Sequence, residues 1–191
     1  MFSFSFRTVF AITLALAVIT FAAPIVEKRV INPATIVSQI NGLTGTINGL
    51  LTQVQAINTN AGATLTTILS TLIGIVNTLL KTVTGVIASL VGTVGTLKAE
   101  DVSAISTAVT ALSSAIQNLL TALTAAATKA VSGTASGLTS LLPLQSVLMA
   151  LQSQINTLMS ALTSIVGTAT GVVASEQSAV SGALANAVKA L

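Results

Sequence analysis

The chain has 191 residues, 52% of them hydrophobic, 6% charged and 3% aromatic, with no Cys, His, Trp or Tyr. Without His or Cys the familiar nucleophile–base triads have no parts, a disulfide framework is excluded, and a zinc-type site lacks its ligands. Beyond residue 30, Lys81, Lys98, Lys129 and Lys189 stand against Glu100, Asp101 and Glu176, and no basic cluster or aromatic platform exists to hold a nucleic acid.

Residues 1–22 follow the order of a secretory signal: one positive charge at Arg7, an apolar stretch from Val9 to Phe21, then small residues at Ala22 and Ala23. Cleavage after Ala22 places Thr20 and Ala22 at the two small-residue positions. Residues 23–29 then form a propeptide ending at Lys28-Arg29, the only adjacent basic pair. That pair looks like the site cut by the processing protease of the fungal late secretory pathway. The mature chain expected from this reading is a single helical domain, residues 30–191.

Along that domain the apolar residues recur at alternating steps of three and four, the stripe of an amphipathic helix. The first series runs Ile36, Ile40, Leu43, Ile47, Leu50 and Val54; Asn32-Pro33 opens it as cap and first helical residue, and the polar Asn58–Gly62 stretch ends it. The second includes Leu65, Leu72, Leu79, Val83 and Leu90, continues to Leu97, and is broken by Gly92 and Gly95. Asp101 is expected to cap a third, Val102 to Leu123, fading into an Ala-rich stretch. A fourth follows Pro143 to Ile165, and Glu176 to Leu191 forms a further short segment. The fold expected is all-α: an antiparallel bundle of four or five long amphipathic helices. Thr and Val are indifferent helix formers, but alternation by two never lasts, so the 3–4 period decides.

Catalytic and metal chemistry are not found. No lysine of the mature chain has Ser three positions earlier, and Glu100-Asp101 is an adjacent pair whose plain role is helix capping. No enzymatic activity and no cofactor is expected. Gly45-x-x-x-Gly49, Gly133-x-x-x-Gly137 and Gly167-x-x-x-Gly171 match the close-packing motif of membrane helices, here read as close packing within a bundle or as loops. Leu65–Val91 is long enough to span a membrane, but its Thr and Ser residues give it a polar side that a lipid-facing helix should lack.

With its signal, the Lys28-Arg29 site and a Cys-free body of Leu/Ile/Val heptads set in Ala, Thr and Ser, such as Ile36-Val37-Ser38-Gln39-Ile40-Asn41-Gly42-Leu43, the chain resembles the fungal hydrophobic surface binding protein A family, which includes cell-wall mannoprotein-like members. The resemblance implies a secreted or cell-wall protein that adsorbs to hydrophobic surfaces or lipids. It also implies a secreted lipase or cutinase as a recruited partner and, in related cell-wall proteins, fatty acids held between helices.

The residues expected to contact a surface or lipid are the seam positions Leu43, Ile47, Leu50, Leu65, Leu72, Leu79, Val83 and Leu90, turned outward when the bundle opens. A lipid-carrying bundle is the alternative, with Ala and Gly on inward faces leaving a cavity between helices. O-glycosylated wall protein and membrane-active protein are further readings. Self-association is permitted by the near absence of charge.

Overall fold

A computed structural model of the chain describes residues 29–30, 32–59, 64–91, 93–94, 97–131, 141–166 and 171–191. The signal segment 1–22, the propeptide up to Lys28, and Gly133, Gly137 and Gly167 lie outside the described residues. The chain is all-α: α1 Pro33–Thr59, α2 Leu65–Leu90, α3 Ala99–Val131, α4 Leu142–Val166 and α5 Gly171–Ala190. Among the described residues the one departure is a two-residue parallel pair, β1 Arg29–Val30 with β2 Thr93–Val94, so the chain entering α1 is tied to the α2–α3 connection.

Helix starts are set by local chemistry. Before α1, Asn32 accepts the backbone N–H of Thr35 on its side-chain oxygen (3.3 Å), which satisfies one of the donors a helix start leaves without a partner. Pro33 occupies the first turn, where a missing N–H costs nothing. Thr64 caps α2 by accepting from the Thr67 N–H at 3.3 Å. α3 begins earlier than the sequence reading placed it. Lys98 is the cap residue, its carbonyl accepting from Val102 N–H, and Asp101 sits within the first turn, taking the Lys98 N–H on Oδ2 at 3.2 Å. Asp101 thus supplies the carboxylate half of a capping box, and its charge favours the positive end of the helix.

Other boundaries shift for similar reasons. The second apolar series ends at Leu90 rather than Leu97, because Thr93–Val94 leaves the helix to pair with β1. α3 continues through the Ala-rich stretch to Val131, since Ala126 and Ala127 are buried and alanine is the best helix former. The last helix starts at Gly171, five residues before Glu176, with Val173 already in the core.

Consecutive helices alternate in direction. Ser89 near the end of α2 donates to Gln39 near the start of α1, and Gln145 near the start of α4 donates to the Val188 carbonyl near the end of α5 at 3.4 Å. The most extensive packing, however, joins helices two apart. α1 lies on α3, α2 on α4 and α3 on α5, and these pairs run parallel. Around the bundle the order is α1–α3–α5–α4–α2, with α2 also touching α3 across it.

The buried stripe of each of the first four helices is the predicted seam: Ile40, Ile47 and Val54 on α1; Leu72, Leu79 and Val83 on α2; Ile105, Leu112, Leu119 and Leu123 on α3; Leu148, Leu151 and Ile155 on α4. α2 and α3 are long and apolar enough to cross a membrane, but each buries one stripe against its neighbours and carries Thr and Ser outside.

Candidate helix-groove lipid site

The eight seam residues divide unevenly. Leu43, Ile47, Leu50, Leu72, Leu79, Val83 and Leu90 are all buried in one core cluster, and Leu65 is half-buried at its edge. In the closed bundle they hold helices together. Their exposure would require separating helices whose packing is the main source of stability, since burying one such side chain contributes roughly 1.5–3 kcal/mol.

The described glycines are not where the cavity reading put them. Gly42, Gly45, Gly49, Gly74, Gly85 and Gly182 all lie on exposed faces, and a Cβ added at any of them meets nothing within 4 Å. Gly45 and Gly49 therefore mark no close helix crossing. Alanine does face inward, at Ala108, Ala115, Ala126, Ala127 and Ala187.

Small side chains open a groove between the C-terminal halves of α3 and α5, with a volume of about 780 Å³. Leu120 and Ala187 form its apolar floor, Ala125, Ala183 and Ala190 its walls, and Thr121, Thr124 and Asn186 its polar edge. From Gln117 to Lys129 the α3 side runs about 18 Å at 1.5 Å per residue. Its volume falls within the range of small-molecule sites, roughly 300–1,000 Å³.

The groove has a polar group at each end of its α3 wall. Beside Gln117 lies Ser113, 1% exposed and the one fully buried polar side chain among the described residues. The Gln117 amide donates to the Ser113 hydroxyl at 3.2 Å, so burial of this oxygen is compensated. At the other end Lys129 is exposed, and its ammonium donates to the Asn58 carbonyl in the last turn of α1.

A second, smaller groove of about 460 Å³ lies between α1 and α2, opened by Gly42 and Gly85 and flanked by Lys81. Among the described residues no three of His, Cys, Asp and Glu gather to hold a metal. The single ion pair there, Lys98 to Glu100 at 3.9 Å, is solvent-exposed, a geometry of little energetic weight. Each groove combines apolar and polar lining residues with a single lysine, Lys129 or Lys81.

Neither groove was assigned from sequence. The 3–4 spacing locates the buried stripe, whereas the α3–α5 groove depends on which helices become neighbours. Its one signal is the Ala-rich end of α3, where Ala125 is a wall side chain too short to fill the space while Ala126 and Ala127 are buried in the core.

No family model and no curated protein matches the chain. It is similar to a solved protein, the crystal structure of AFMP4P in complex with palmitic acid, at 25% sequence identity and a TM-score of 0.67. The match covers 83% of this chain and 99% of that one.

Proposed function

We propose that the protein is a secreted, non-enzymatic carrier of long-chain fatty acids, related to fungal mannoprotein-like proteins. The observation that carries this reading is the similarity over nearly the whole length of a helical protein holding palmitic acid. It supports the lipid-carrying alternative better than adsorption to hydrophobic surfaces or recruitment of a lipolytic enzyme.

In this chain the α3–α5 groove takes the acyl chain, because its length and alanine walls fit an unbranched hydrocarbon. Lys129 meets the carboxylate. Its ammonium keeps free hydrogens beyond the one given to Asn58, and a hydrogen bond with two charged partners is stronger than a neutral one. No covalent step is involved.

The test is solvent extraction and mass spectrometry of the protein purified from a secreting host, followed by calorimetric titration of the delipidated protein with palmitate. A co-purifying fatty acid and saturable binding near one equivalent are expected. An empty extract together with no saturable heat would sink the reading.

A further inference from the structure

We propose that the α3–α5 groove prefers a long-chain fatty acid carrying a neutral hydroxyl at its far end, an ω-hydroxy acid, gripped at both ends at once. It rests on the fatty-acid reading, in which Lys129 meets the carboxylate, and adds Gln117 as the partner of the hydroxyl.

Placement is the first observation. Gln117 and Lys129 both line the groove, and α3 rises about 18 Å between them. An extended chain of palmitate's length with its carboxylate at Lys129 therefore ends beside Gln117. A methyl end meets an amide there, whereas a hydroxyl end finds a hydrogen-bond partner.

Open bonding capacity is the second. A glutamine amide has two hydrogens to donate and an oxygen that accepts. Gln117 gives one hydrogen to the Ser113 hydroxyl at 3.2 Å, and among the described residues its other hydrogen and its side-chain oxygen have no partner. Thr121 and Thr124, next along the same wall, give their hydrogens to carbonyls of their own helix. Gln117 is thus the α3 side chain at this end able both to donate to a ligand hydroxyl and to accept from it.

Ser113 is the third. It is the one polar residue on the buried face of α3. Packing alone would be served by alanine, because a buried hydroxyl costs free energy until it is bonded. Its bond to Gln117, one turn further on, holds the amide at the end of the groove, so less freedom is lost when a ligand arrives. Ser113 is a positioning residue, acting through Gln117.

Charge selects a hydroxyl over a second carboxylate. The lysines of the two wall helices, Lys129 and Lys189, stand in the last turns of α3 and α5, so the Gln117 end receives no cation from either wall.

Calorimetric titration of the delipidated secreted protein with palmitate, ω-hydroxypalmitate and hexadecanedioate tests the proposal. Wild type should bind the hydroxy acid about fivefold more tightly than palmitate, the scale of one neutral hydrogen bond, and the diacid no more tightly than palmitate. Gln117→Leu should invert the order of palmitate and the hydroxy acid. Gln117→Lys should make the diacid the tightest of the three, a gain that misfolding does not produce. Ser113→Ala should narrow the ratio between hydroxy acid and palmitate, which a merely structural role would leave alone. Equal wild-type affinities for these two ligands, or a preference that survives Gln117→Leu, would overturn the proposal and leave the fatty-acid reading standing. Binding of none of the three would overturn both.

Discussion

The Lys129 ammonium donates to the Asn58 carbonyl, joining the last turn of α3 to the last turn of α1 across 71 residues of chain. A helix C-terminus is the negative end of its dipole, and a cation there contributes about 0.3–1 kcal/mol when exposed. Lys129 is also a lining residue of the α3–α5 groove, so the side chain that ties two helix ends together is the one the proposed function assigns to the carboxylate. Lys129→Met should lower stability by no more than about 1 kcal/mol. It should weaken palmitate binding by about tenfold, the scale of one charged hydrogen bond, and leave the affinity for hexadecanol unchanged. Calorimetry with the two ligands checks this; equal losses for acid and alcohol would remove Lys129 from the carboxylate.

Filling the groove is the complementary experiment. Ala125 is an exposed wall residue and Ala190 lies at the end of α5, so larger side chains at these positions occupy the groove without disturbing the core. Ala125→Leu/Ala190→Leu should reduce palmitate affinity at least fivefold while the melting temperature holds or rises slightly, leucine being nearly as good a helix former as alanine. Unaltered affinity would place the acyl chain elsewhere, and the Gly42–Gly85 groove between α1 and α2 would be the next to fill.

Leu72 separates packing from contact. It is fully buried against neighbouring helices, whereas Leu142 is exposed, and the two are chemically identical. Leu72→Ala should cost about 2–5 kcal/mol from lost burial and the cavity left behind, and Leu142→Ala within about 0.5 kcal/mol of nothing. Urea denaturation followed by circular dichroism gives both values. A small loss at Leu72 would mean that the α2 seam is not a close-packed core.

The heptad spacing made the helices and their inner faces legible because burial imposes a 3.6-residue period on apolar side chains. Every seam residue from Ile36 to Val54, for instance, is on the inner side of α1 at its predicted step. Periodicity carries no information about neighbours. That α1 lies chiefly on α3, and α2 on α4, depends on how long the connections are and where β1 meets β2. The groove followed those choices and was therefore hidden. The helix starts misread at Ala99 and Gly171 share a cause: polar or small residues that look like loop are drawn into the helix by Asp101 reaching back to Lys98 and by burial of Val173.

The outward glycines make a prediction with the opposite sign. In an exposed helix interior, glycine costs about 0.8–1.0 kcal/mol relative to alanine, because it gives up more backbone freedom on folding. Gly42, Gly74 and Gly182 are on three different helices with open space where a Cβ would stand, so alanine introduces no clash. Each single Gly→Ala variant should raise stability by nearly that amount. For a domain of this size, about 1 kcal/mol corresponds to roughly 2–4 °C in melting temperature. The triple variant should add the three gains, since the sites share no partners. Scanning calorimetry decides between two pictures of these helices. Additive stabilisation would show that the glycines face solvent, whereas destabilisation at Gly42 or Gly74 would mean that another surface packs against them, such as a second copy of the chain.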